Sequence, residues 1–225
     1  ASAHWPPCSR PSRNSAMSDL PGGLPPGAAF AKRTFDIVLA ATGLSLALPF
    51  ILAAFVVATI DTGANGFFTQ ARIGRGGKPF RVIKIRTMRP GSETGSTVTT
   101  ANDARVTAAG RFFRRTKIDE LPQLFNILAG SMSFVGPRPD TPGFADRLSG
   151  DDRIVLAVRP GITGPATLRY RHEEALLAAQ PDPERFNREV IYPDKVRLNR
   201  RYVECYRFRD DLRLLALTIF TRREG

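Results

Sequence analysis

The sequence predicts a mixed α/β domain, mostly helical, attached to one membrane-embedded helix near its N-terminal side. Three observations carry that prediction. Ile37 to Ile60 form an uncharged apolar run of 24 residues. As a straight helix it would measure about 36 Å, against a hydrocarbon core of about 30 Å. Two short β-rich segments then flank “GRGG” (74–77). Further on, apolar residues recur at helical spacing, as at Leu121, Leu124, Phe125 and Leu128, and again from Val196 to Phe220.

Residues 1 to 31 hold six prolines and three glycines with little periodicity, and they read as a disordered lead-in. Met17 is a natural start, with residues 1 to 16 added ahead of it or taken from an upstream start. His4, Trp5 and Cys8 therefore carry no functional weight. Lys and Arg outnumber Asp and Glu 33 to 21, and the formal net charge of +12 calls for an anionic partner. Nucleic acid is disfavoured, because no recognition motif accompanies the charge. Anionic phospholipid and a phosphorylated substrate remain. Cys8 and Cys205 lie far apart and outside any paired motif, which indicates neither a disulfide framework nor a zinc site.

Pro49 falls near the middle of the apolar run and removes a backbone hydrogen bond, which permits a sharp bend. Spanning helices also contain proline, so this residue alone does not separate a crossing helix from a returning one. Charge placement adds to it. Lys32 and Arg33 precede the run, and seven basic residues with no acid lie from Arg72 to Arg89. Positive flanks favour the cytoplasmic side, and a re-entrant helix over 32–61 puts both there. Leu48 precedes Pro49 where a serine hydroxyl would satisfy a freed carbonyl; Ser45 lies about one turn earlier. The run begins too late and is too long for a signal peptide.

“GFFTQARIGRGGKPFRVIKIRTM” (66–88) predicts two strands about the glycine-rich turn, which lacks P-loop and dinucleotide spacings. Lys84 and Arg86 alternate with β-type residues, and alone they describe a solvated basic strand. Residues 90 to 101 read as a loop, with Asn102 or Asp103 as N-cap of a helix to Arg115.

The densest pattern is “RFFRRTKIDELPQLFNILAGSMSFVGPRP” (111–139). Pro122 is tolerated in a first helical turn, so a helix should start near Lys117 to Asp119 and end at Gly130. Asp119 then lies off the apolar stripe, towards solvent or a cleft. The helix dipole by itself explains acids at Asp119 and Glu120. Arg111, Arg114, Arg115 and Lys117 ahead of the pair, and Arg138 behind it, point further. Carboxylates among arginines stay ionised, are able to share a divalent cation and sit where an anionic substrate is drawn. That suits phosphoryl chemistry, in which a protein positions groups and neutralises charge.

“KRTFD” (32–36), “KIRTM” (84–88), “RRTKIDELPQLFNIL” (114–128), “SFVGPRP” (133–139) and “RPGITG” (159–164) occur in this order. Together they resemble the bacterial sugar transferase family, the monotopic phosphoglycosyl transferases. The resemblance runs from about Lys32 to the C-terminus. It implies a broken re-entrant helix and a cytoplasmic catalytic domain over 62–225 at the bacterial inner membrane. The implied reaction moves a sugar 1-phosphate from a UDP-sugar to polyprenyl (undecaprenyl) phosphate, with UMP leaving. A carboxylate nucleophile splits such a transfer into two displacements, and Asp119 is assigned that role. Glu120 is its neighbour in metal binding or positioning, with Mg2+ offsetting the diphosphate charge. Lys84, Arg86, Arg114 and Arg138 are assigned to substrate phosphate, and Arg159 to the nucleotide side. The compact form of the chain leans towards an N-acetylated amino sugar.

The C-terminal segment carries six arginines in its last 25 residues. Its helices either pair in a core or lie as basic amphipathic helices on anionic lipid. His172 has no nameable partner, and Asp194 in “YPDK” reads as a supporting acid. A non-catalytic basic membrane adaptor is the other reading of the charge and the apolar run. It leaves Asp119, Glu120 and “GPRP” without a role.

Overall fold

The computed structural model describes residues 23–91 and 105–220. The lead-in up to residue 22 and the N-cap expected at Asn102 or Asp103 lie outside them. Helix α1 runs from Pro26 to Thr62, so residues 26 to 31 are helical and not lead-in. Pro26 at the first helical position costs nothing, because its N–H would be unpaired there. Gly63 closes the helix in the left-handed conformation, and Pro49 lies inside it. Ser45 Oγ donates to the Ala41 carbonyl at 3.0 Å. It does not compensate the Ser45 carbonyl, which loses its intrahelical donor at Pro49.

Helix α1 buries Lys32, Asp36, Ala40, Ile51, Ala54, Ala58 and Thr62, with Leu44 and Ala47 packing between. These positions form one stripe against the rest of the fold. The opposite side is apolar and open: Val38, Leu46, Phe50, Leu52, Val56 and Ile60 are each more than half exposed.

Strands β1 (Phe67–Ile73) and β2 (Pro79–Ile85) form the expected antiparallel hairpin, with Phe67 opposite Ile85 and Ile73 opposite Pro79. Gly76 and Gly77 turn it at φ 70° and 77°, a region open to glycine. Val82 and Ile85 enter the core beneath α1. Helix α2 (Ala108–Thr116) is capped by Thr107, whose Oγ1 accepts from Gly110 N at 3.0 Å.

The helix expected to begin near Lys117 is divided. A 3-10 turn over Ile118–Glu120 precedes helix α3, Gln123–Ala129, which Gly130 ends as expected. Pro122 supplies no N–H, and the neighbouring bonds step three residues, Leu121 N to Ile118 O and Leu124 N to Leu121 O. The buried face of α3 is Gln123, Leu124, Asn126 and Ile127, while Phe125, placed on the apolar stripe by spacing, is exposed.

Strand β3 (Ser133–Val135) pairs in parallel with β4 (Gly161–Thr163). Three short helices follow, α4 (Pro165–Arg169), α5 (Glu173–Ala178) and α6 (Pro183–Phe186). A π-helical turn then leads into α7 (Tyr192–Glu204), and α8 spans Phe208–Phe220. Val196, Tyr202 and Val203 of α7 are buried, as their spacing predicts. In α8 the inward residues are Asp210, Asp211 and Leu214, and Leu212, Ile219 and Phe220 are exposed. Asp211 is drawn inward by Lys32, whose Nζ lies 2.6 Å from its Oδ2. Cys205 is disulfide-bonded, against the expectation from its isolation in the sequence.

Candidate active site

The 3-10 turn sets Asp119 and Glu120 between α2, α3 and the end of β2. Two glycine blocks hold the remaining wall. A Cβ on Gly161 would lie 2.2 Å from Gly136 N, and one on Gly136 would lie 2.5 Å from the Arg159 carbonyl oxygen. Neither position admits a side chain. Gly136 N donates to Thr163 O at 2.9 Å and Gly161 N to Pro137 O at 2.8 Å, which fixes the turn carrying Arg138.

Arg138 Nη2 donates to Glu120 Oε1 at 2.9 Å, and Lys84 Nζ stands 4.0 Å from the same oxygen. Burial pushes the Glu120 carboxyl up, but Arg138, Lys84 and Lys117 together hold it at about 2. Glu120 is therefore a fixed anion. Burial pulls Lys84 down to about 8 against the attraction of Glu120. Arg114 Nε donates to Thr87 Oγ1 at 3.0 Å, and with Lys84 and Lys117 it contributes positive potential at Asp119.

Asp119 is turned inward, not towards open solvent, and is 8% exposed. The tighter 3-10 winding, about 120° per residue, swings it off the position that an α-helix would give. Burial and the adjacent Glu120 raise its carboxyl above the ordinary range, opposed by the three cations. Its Oδ1 is buried with no hydrogen-bond partner. A buried acceptor without a hydrogen-bond partner, beside a fixed anion and four positive groups, suits a diphosphate substrate.

Adjacent carboxylates offer the hard oxygen donors that Mg2+ prefers. Among the described residues no group of three or more His, Cys, Asp or Glu could hold a metal, so phosphate oxygens would complete the shell. The residues present fit Mg2+ on those terms, and the lack of imidazole or thiolate beside the pair disfavours zinc.

Lys84, Arg114, Arg138, Asp119 and Glu120 thus come together. Other predicted residues are used elsewhere. Arg86 Nε donates to Asn65 O at 2.7 Å and its guanidinium lies over the Phe68 ring, which braces the hairpin. Arg159 Nε donates to Gly130 O at 2.8 Å, at the end of α3 opposite the acidic pair. Arg33 caps that same end through the Ile127 and Leu128 carbonyls at 2.6 and 2.9 Å. Neither Lys32 nor Arg33 is a free basic flank facing lipid. Asp194 accepts from Tyr170 OH at 2.7 Å and pairs with Arg197, and His172 is exposed at the start of α5.

The sequence reading missed a second charged layer behind Arg138. Burial pushes the Asp140 carboxyl up to about 6, opposed by Lys195 and Arg72. Arg72 donates to the Pro139 carbonyl at 3.3 Å, and Lys195 contacts both Glu173 oxygens at 2.6 and 2.7 Å. The one available cue was that Asp140 directly follows “GPRP”.

A family model described as bacterial sugar transferase matches residues 27–224. The chain belongs to the bacterial sugar transferase family. Among relatives of this sugar transferase, a Bacillus subtilis protein provisionally named undecaprenyl-phosphate N-acetylgalactosaminyl 1-phosphate transferase is 42% identical over 63% of the chain and 79% of its own length. The UDP-glucose:undecaprenyl-phosphate glucose-1-phosphate transferase of Caulobacter vibrioides is 42% identical over 66% of the chain and 58% of its own. The undecaprenyl-phosphate galactose phosphotransferase of Salmonella typhimurium is 33% identical over 87% of the chain but 41% of its own. The chain therefore spans much less than the whole of the latter two relatives. The sugars in the three relatives' names differ: N-acetylgalactosamine, glucose and galactose.

Proposed function

We propose that this chain transfers a sugar 1-phosphate from a UDP-sugar to polyprenyl phosphate through a covalent intermediate on Asp119. The observation that carries the reading is the buried, unpartnered Oδ1 of Asp119 beside Glu120, which Arg138 holds ionised. The relatives named for undecaprenyl-phosphate sugar transfer support the overall transfer.

In the first displacement Asp119 Oδ1 attacks the phosphorus that bears the sugar. Its bond to the bridging oxygen breaks, and UMP leaves with the electron pair. In the second, an oxygen of polyprenyl phosphate attacks that phosphorus, the bond to Asp119 breaks and the carboxylate is restored. Lys84, Arg114 and Arg138 hold phosphate oxygens and offset their charge. Asp119 and Glu120 would hold Mg2+, whose contribution is to neutralise the diphosphate and its leaving group.

Helix α1 runs unbroken through Pro49, and on this reading both its ends face the cytoplasmic side of the inner membrane, with Pro49 as the point where the backbone can bend. The exposed Leu212, Ile219 and Phe220 of α8 meet the interface, where anionic phospholipid attracts the basic surface. The product is the first lipid-linked sugar of a glycan assembly pathway.

Two measurements test this. Wild-type protein given UDP-sugar alone should leave a sugar-phosphate adduct on Asp119, read by mass spectrometry after rapid quenching. Asp119→Asn should abolish UMP release while remaining folded, and adduct on Glu120 instead would reject the assignment. Chelation should remove activity and added magnesium restore it; full turnover in excess EDTA would overturn the metal assignment.

A further inference from the structure

The first turn of α3 carries a second buried polar group without a partner. Gln123 is 3% exposed, and its Nε2 is buried without a hydrogen-bond partner. Neighbouring residues fix where it lies. Bonds that step three residues, ending with Phe125 N to Pro122 O, stack side chains three apart on one side of the turn. Glu120, Gln123 and Asn126 are so spaced. The Asn126 side chain donates to the Arg81 carbonyl at 2.8 Å and accepts from Ile83 N at 3.0 Å, both on β2. Glu120 faces Lys84, the next residue of that strand. That spacing puts Gln123 on the side of the turn that faces β2, with Asp119 four residues earlier in the chain.

Leaving a buried amide donor unpaired is costly, and a packed apolar side chain of the same shape would avoid the cost. Here a donor and an acceptor, Gln123 Nε2 and Asp119 Oδ1, four residues apart, both lack a partner and do not bond each other. A cation cannot satisfy an N–H group. A phosphoryl group can close on both, offering phosphorus to the carboxylate and an oxygen to the amide.

We propose that the Gln123 amide donates to a non-bridging oxygen of the phosphoryl group that Asp119 accepts, and so stabilises the charge that develops there. This rests on the phosphoryl-transfer reading above. No bond forms or breaks at Gln123; its part is a donor placed for the transition state.

The test is Gln123→Met, close in length but without the donor, with Gln123→Glu as a second variant. Rate of Asp119 adduct formation, KM and thermal midpoint are measured for each. The proposal expects the Met variant to match or exceed the wild-type midpoint, because an unsatisfied group has been removed. Its adduct formation should slow on the order of 10²-fold, mainly in kcat, and the Glu variant should slow at least as much. A Met variant that forms adduct at the wild-type rate overturns the proposal. So does a loss of rate that only follows a lowered midpoint, which marks a structural amide. Absence of adduct in the wild type would instead refute the reading on which the proposal depends.

Discussion

Lys84 couples the site to pH. It loses its proton near pH 8, whereas Glu120 remains ionised down to about 2. Below pH 8 the lysine is a cation that balances Glu120 and is available to phosphate; above it, the group is neutral and that balance is lost. The value of kcat/KM for UDP-sugar should therefore fall about tenfold per pH unit beyond pH 8. Lys84→Arg keeps the charge to much higher pH and should move the alkaline limb upward by more than one unit. UMP release from pH 6 to 10 checks both, and a wild-type limb near 10 would contradict the burial argument. The acidic pair, Lys84, Arg114 and Arg138 were legible in the sequence because opposite charges crowd into two short blocks. Asp140 was not, since a lone acid after two prolines has no pattern and its burial is a property of the fold. Arg86 and Arg159 show the converse failure. A guanidinium that serves backbone carbonyls looks, in a sequence, like one that serves a phosphate.

Among the elements, the hairpin was the easiest to foresee, because its turn chemistry is local. The break between the 3-10 turn and α3 was harder. Pro122 is compatible with one helix or two, and Asn126 decides for a short α3 only through its bonds to β2. The docking of α1 on α8 was invisible, since Lys32 and Asp211 are 179 residues apart. Asp211 also accepts from Tyr202 OH at 2.6 Å and from Tyr206 OH at 3.0 Å, and both side chains of the ion pair are less than a tenth exposed. Breaking such a pair strands a buried anion, so Lys32→Met should destabilise the fold by about 3–5 kcal/mol. Arg185 of α6 and Glu189 of the π-helical turn form an exposed pair, and Arg185→Ala should cost less than about 1 kcal/mol. Thermal unfolding of both variants in one detergent tests the contrast, and equal losses would show that the Lys32 pair has no special weight.

At the scale of the whole molecule, α1 decides how the protein meets its membrane. Its 37 residues would reach on the order of 55 Å if straight, well beyond a hydrocarbon core of about 30 Å. Length alone therefore permits a crossing. Packing opposes it. The buried stripe runs from Lys32 to Thr62, tied to α8 at one end and to the hairpin at the other, where Gly66 N donates to Thr59 Oγ1 at 3.0 Å. If α1 crossed, the polar groups along one side of this domain would enter hydrocarbon, where unpaired backbone and charge are not tolerated. Both ends are therefore expected on the side that the domain occupies. Lys32 and Arg33 are already engaged in the fold and do not act as free basic flanks. Single cysteines at Ala31 and Ala64, in a background with Cys8 and Cys205 replaced, give the test. Both should resist a membrane-impermeant thiol reagent in intact cells and react after lysis, and Leu46→Cys should stay unreactive throughout. Labelling of Ala31→Cys in intact cells, with Ala64→Cys protected, would establish a crossing helix and require the domain to detach from half of α1.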